Sequence, residues 1–150
     1  MKYLIIYLIF LSPSCIINLK QEIKSKNENN LFEKSKDTLI VYDIKGISSE
    51  GAEAKVSYVN SKITKSETYI YGETGQCTIL YYFEKYKIRV TETKFTYKSQ
   101  IENVTSSNDM QLEYKVNYFI DFNGRIIGEE IPFRIDIFKK FKEKVPFILK

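Results

Sequence analysis

The chain has 150 residues, 43% apolar and 28% charged, with 12 Tyr, 10 Phe, no Trp and a formal net charge of +4. That length suits one ordinary domain, and the balance of apolar and charged residues is that of a globular protein. The absence of any His excludes Ser-His-Asp and Cys-His catalysis and removes the commonest metal ligand. The mild, interspersed charge lacks the basic stripe of a nucleic-acid binder, so no nucleic-acid partner is expected.

Met1-Lys2 is followed by an apolar run over residues 3–11 and then by Ser12-Pro13-Ser14-Cys15. A positive start, a short apolar core and small residues before a cut site predict a secretory signal peptide over 1–14. The run is too short to span a membrane comfortably, which takes about 20 apolar residues. Small residues before a cysteine at the end of such a run resemble the lipobox of bacterial lipoproteins, which implies lipid attachment at Cys15 and contact with a membrane through that lipid. Ser12 stands where that pattern usually has Leu, and Ser12 and Ser14 also satisfy the small-x-small rule of an ordinary signal peptidase. Both readings cut before Cys15 and both imply export to the cell envelope. Without lipid on Cys15, a Cys15–Cys77 disulfide is open to the chain in an oxidising compartment.

Residues 15–36 are mostly Lys, Asn, Glu and Ser with no sustained hydrophobic period, and are expected to form a flexible tether. From residue 37 the pattern turns to short β-type runs. A mostly continuous apolar stretch over 39–44 predicts a buried strand, and turn residues fill 46–51. Ala54, Val56 and Tyr58 alternate with Lys55 and Ser57, a period of two. Asn60-Ser61 breaks that run, and 63–71 reads as its hairpin partner.

The stretch 71–90, YGETGQCTILYYFEKYKIRV, raises the question of a ligand-cradling loop. Gly72-Glu73-Thr74-Gly75 lacks the Lys-Ser/Thr ending of a phosphate loop and opens no helix. It therefore reads as a turn whose glycines supply positive φ. Beyond it, Cys77, Ile79, Tyr81 and Phe83 share one parity, while Thr78, Leu80 and Tyr82 share the other. After a turn at 84–86, Ile88 and Val90 begin the return, and Phe95 and Tyr97 close it. A polar loop covers 98–110. Leu112, Tyr114, Val116, Tyr118 and Ile120 then give the cleanest alternation in the chain, before the turn dipeptide Asn123-Gly124. Ile135, Phe138 and Phe141 fall three apart, which predicts an amphipathic helix over about 133–144, packed on the sheet and ended by Pro146.

Chemical candidates are few. Cys77 at a strand start has neither a His nor a helix N-terminus to lower its pKa and reads as structural. Glu50, Glu53, Glu67, Glu73, Glu84 and Glu92 are the carboxylates from which an acid/base pair would have to come, and solvated strand faces account for them all. Tyr81, Tyr82, Phe83, Tyr114 and Tyr118 are the candidate aromatic binding face. Core packing and cross-strand pairing explain them too. No catalytic residue, metal site or cofactor is expected.

Glu50-Gly51, Tyr71-Gly72-Glu73-Thr74-Gly75, Tyr81-Tyr82-Phe83 and Asn123-Gly124, spread over roughly residues 48–127, resemble a loose group of exported bacterial lipoprotein-like proteins. That group has aromatic β-hairpin repeats and no assigned activity. The chain departs from it where Asn60-Ser61 and Glu84-Lys85 replace its usual Asn-Gly turns. The resemblance implies a location and a fold rather than an activity. The expectation is an all-β, mainly antiparallel meander over 37–150 with a short C-terminal helix, acting as a non-enzymatic envelope module that binds an unknown protein or ligand. The alternatives are an inhibitor or immunity-like protein against an envelope-acting enzyme or toxin, and a carboxylate-dependent envelope hydrolase. A large concave pocket with two facing carboxylates would favour the hydrolase, and an exposed aromatic patch without a pocket would favour binding.

Overall fold

The computed structural model describes residues 36–150. The signal segment, Cys15 and all of the tether except Lys36 lie outside the described residues. Seven strands form one antiparallel sheet in the order of the chain: β1 (Asp37–Asp43), β2 (Ala52–Val59), β3 (Lys62–Gly72), β4 (Gly75–Phe83), β5 (Ile88–Tyr97), β6 (Met110–Ile120) and β7 (Ile126–Ile127). A single helix, α1 (Phe138–Lys144), follows. This is the expected meander with its C-terminal helix. No described helix is long and apolar enough to cross a membrane.

Alternation decides the two faces. On one, Val56, Ser66, Tyr81, Val90 and Tyr118 stand in a row across β2 to β6, and all five are buried. On the same face, Ile137, Phe138, Phe141 and Val145 come down from α1 and its flanks into the core formed with Ile79, Ile88 and Ile120. Phe138 and Phe141 flank Tyr81, with ring centroids 5.4 and 5.1 Å away. Removing each of these phenyl groups from water contributes roughly 1.5–3 kcal/mol. The parity expected for 77–83 holds: Cys77, Ile79 and Tyr81 are buried, and Thr78, Leu80 and Tyr82 point to the other face.

The turns explain the pairing. Glu73 and Thr74 connect β3 to β4, with Gly72 opposite Gly75, so the expected turn is present. Its physical reason differs from the expectation, because neither glycine has a positive φ. Gly75 is needed for space: a Cβ there would run into the backbone carbonyl of Phe95 on β5. The left-handed turn is the preceding one. Asn60 and Ser61 have φ of 49° and 65°, the conformation of a two-residue hairpin that usually recruits glycine.

The helix is shorter than the expected 133–144, beginning only at Phe138. Residues 133–137 stay out of the helix: 132–133 form a turn in which the Arg134 N–H donates to the Ile131 carbonyl, and the Ile135 N–H donates to a side chain of the sheet, Glu92, in place of a helical carbonyl. After Val145 the chain meets the start of β3, beyond the end of β4. The Ile63 N–H donates to the Phe147 carbonyl at 2.9 Å and the Leu149 N–H to the Ser61 carbonyl at 2.8 Å. The Tyr58 hydroxyl donates to the Pro146 carbonyl at 2.8 Å, which ties the tail to β2 as well.

Candidate functional site

Glu92 is fully buried on the helix-covered face. One of its carboxyl oxygens accepts from the Tyr114 hydroxyl at 2.6 Å and the Ile135 N–H at 3.0 Å. The other accepts from the Tyr118 hydroxyl at 3.0 Å. A buried carboxyl group is tolerated only when its oxygens are satisfied in this way. Burial first, and then the carboxyl group beside them, push the Tyr114 and Tyr118 hydroxyls well above the usual tyrosine range. Arg134, next to Tyr118, pulls the other way and is itself bonded to Asp136 at 2.8 Å. Chemically, the cluster clamps the segment before α1 to strands β5 and β6.

This corrects the expectation that solvated strand faces hold every candidate carboxylate. Glu92 shares the parity of Ile88 and Val90, and that period-two signal placed it inward. Glu53 and Glu67 do lie on the other face, and Glu50, Glu73 and Glu84 lie in connections between strands. A cleft of about 520 Å³ runs beside residues 125–136 and is lined by Glu130 and Asp136 together with Arg125 and Arg134. Among the described residues no cluster of three or more His, Cys, Asp or Glu is arranged to hold a metal ion. Cys77 is buried, and its thiol is pushed up to about 12, by burial first and by Glu92 second, with Lys94 opposing. At neutral pH it is a packing group and not a nucleophile.

The five aromatics of the candidate binding face do not share a face. Tyr81 is packed under α1. Phe83 stacks on Phe141 and meets Phe147, and Tyr114 and Tyr118 hold Glu92. Tyr82 alone points to the opposite side, which neither α1 nor the tail covers.

That opposite side has an order of its own. Leu39, Ser57, Lys65, Tyr82, Arg89, Phe119 and Ile127 pair in register across all seven strands. Cations and rings alternate through its centre. Arg89 lies 4.2 Å and Lys65 5.7 Å from the centroid of Tyr82, and Lys87 lies 3.6 Å from that of Phe119. Farther along β2 and β3, Lys55 covers Tyr69 at 4.8 Å. Such pairs keep charge beside the rings. Leu39, Val41 and Ile127 at the margins are 67%, 56% and 47% exposed, so apolar surface flanks the row at both sheet edges. Sequence reasoning missed the row because its members come from seven strands, and only the register brings them together.

The fold and site thus define a class: a helix-backed antiparallel meander with one sealed face and one open aromatic–cationic face. No protein-family model matches the chain, and no curated protein or solved structure matches it.

Proposed function

We propose that this chain is an exported, envelope-tethered binding or interaction module without enzymatic activity, and that its contact surface is the open face of the sheet centred on Tyr82, Arg89 and Phe119. The observation that carries this reading is the in-register row in which cations and aromatic rings alternate. A flat face with ordered rings, adjacent charge and apolar margins suits a partner protein, because aromatic and arginine side chains dominate contact energies. The immunity-like alternative is one form of the same reading. A hydrolase is less well supported. Both oxygens of Glu92 are occupied by Tyr114, Tyr118 and Ile135, and Asp136 is bonded to Arg134. The tether in this proposal is residues 15–36, with Cys15 as the lipid attachment point.

The test is capture from an envelope extract with the parent chain and with Tyr82→Ala/Phe119→Ala. The expected outcome is a partner retained by the parent and lost at least about tenfold by the double variant, since each anchor typically contributes more than 1 kcal/mol. Equal retention by both would sink this surface as the contact site. Mass spectrometry of the membrane fraction, reading the mass of the residue-15 peptide, checks the anchor separately.

A further inference from the structure

In an up-and-down meander, alternate turns lie at opposite ends of the sheet. One end collects the start of β1 and the turns at 60–61, 84–87 and 121–125. The other collects the connections at 44–51, 73–74 and 98–109. The chain enters the domain at the first of these ends, where Lys36 is bonded through its N–H and carbonyl to Asn60. The C-terminal tail returns to the same place, bonded to Ser61 and Ile63.

Charges that look interspersed along the sequence are segregated by this topology. Lys36, Lys62, Lys85, Lys87 and Arg125 stand at the entry end. Lys150 joins them from the tail, and Lys142 hangs on the Phe122 carbonyl at 2.6 Å. The acids of the strands and turns there are Asp37, Glu84 and Asp121, with Glu143 next to Lys142 on α1, and two of the first three are already engaged. Asp121 accepts from the Asn123 and Arg125 N–H groups at 2.8 and 2.9 Å, and Glu84 pairs with Lys87 and Arg89 at 3.9 and 3.7 Å. The far end has the reverse sign: Asp43, Glu50, Glu73, Glu102 and Asp109 against Lys45, Lys98 and Lys140, whose ammonium lies beside Gly46.

We propose that the entry end docks on an anionic phospholipid surface, with the acidic end turned away from it. Charge complementarity is one argument, because each Lys or Arg held near an anionic headgroup layer strengthens attachment. The second is the path of the chain: Cys15 precedes Lys36 by 21 residues, at most about 75 Å of extended chain, and that chain joins the domain at its basic end. A lipid alone holds the protein near a membrane without orienting it, and a basic surface supplies the second signal that stable, oriented attachment needs. The inference rests on the envelope-tether reading, and it deepens that reading by giving the domain an orientation. The open sheet face then stands at the side, accessible to a partner.

The experiment uses the chain from residue 15 onward, which contains every residue of the core, with Cys15→Ser so that no lipid contributes. Co-sedimentation is measured with phosphatidylcholine vesicles with and without phosphatidylglycerol, at low and at physiological salt. Two variants carry the same change in net charge at opposite ends: Lys62→Glu/Lys85→Glu at the entry end and Lys45→Glu/Lys98→Glu at the far end. Circular dichroism confirms that both are folded. The parent is expected to sediment only with the anionic vesicles, and less as salt rises. The entry-end variant is expected to lose about tenfold or more of its partitioning, and the far-end variant to stay within about twofold of the parent. Equal losses in the two variants, or a parent that ignores phosphatidylglycerol, would overturn the proposal. Neither result depends on lipidation of Cys15, which the residue-15 peptide mass reads independently.

Discussion

The two faces of this sheet are built from alternate residues of the same strands, yet they obey different rules. The helix-covered face is closed: Val56, Ile79, Ile88 and Val90 pack with Phe138 and Phe141, and its one buried acid, Glu92, has both oxygens engaged. The open face pairs cations with half-buried rings and leaves apolar side chains at its margins. Tyrosine shows the difference best. Tyr118 is buried and donates to Glu92, whereas Tyr82 lies under Arg89 with solvent beside it. One residue type thus supports the fold on one side and remains available for contact on the other. Which role it takes depends on what the rest of the chain lays over it.

The sharpest way to break this comparison is to truncate one residue on each face. Glu92→Ala strands the Tyr118 hydroxyl and the Ile135 N–H inside the protein and takes the main acceptor from Tyr114, and is expected to cost about 3 kcal/mol or more. Tyr82→Ala removes a larger side chain, but from a half-open surface, and is expected to cost under about 1 kcal/mol. Denaturant midpoints of the two variants check the ordering, and a costlier Tyr82→Ala would show that the open face is structural. Glu92→Gln, which keeps an acceptor, should fall between them.

A second measurement follows the tyrosines by pH, in which Tyr69 of the open face, also raised by burial, titrates together with those of the closed side. Burial raises the hydroxyls of Tyr58, Tyr81, Tyr114 and Tyr118 on the closed side above the ordinary tyrosine value. The folded chain therefore holds these protons to higher pH than the unfolded chain, whose tyrosines titrate near 10. Their contribution is fully present below about pH 10 and is lost as pH climbs through the raised folded values. Stability measured from about pH 8 to about pH 12 should be level at first and then fall steeply. A flat profile to the upper limit would contradict the tight packing of these rings.

The smallest expected effect concerns a turn that belongs to neither face. Ser61 carries a side chain at φ 65°, a conformation that costs a non-glycine residue about 1 kcal/mol or more. Ser61→Gly is expected to stabilise the protein by about 1 kcal/mol, read as a higher denaturant midpoint. The gain should leave both faces as they are, because Ser61 reaches the tail only through its backbone carbonyl.

Much of the fold was legible from local pattern. Period-two alternation located the strands of 54–58, 77–83 and 112–120, and Pro146 marked the end of the helix. The helix start was not legible, because Ile135 keeps its apolar spacing while its N–H is drawn to a carboxyl group 43 residues away. Glu92 was half legible: its parity with Ile88 and Val90 put it inward, but the three donors that make burial tolerable come from β6 and from the segment before α1. The candidate aromatic face was misleading as a group, since proximity in sequence put Tyr81 and Tyr82 side by side and the pleat sent them to opposite sides.

The sequence by itself determined most of the strands, most of the turns and the parity of β2, β4 and β6, because these follow from the side-chain period of an extended backbone and from the conformations that Gly, Asn and Pro favour. The apolar stretch 39–44 was expected as a buried strand, but β1 lies at the sheet edge and exposes Leu39 and Val41. The sequence also contained the pattern from which an exported, Cys15-anchored chain is proposed. Only the tertiary structure decided which parity the helix would cover, how Lys65, Tyr82, Arg89 and Phe119 line up, and that basic residues gather where the chain enters while acids gather opposite. Those properties depend on register and on the up-and-down order of strands, which are set by contacts between residues far apart in the chain.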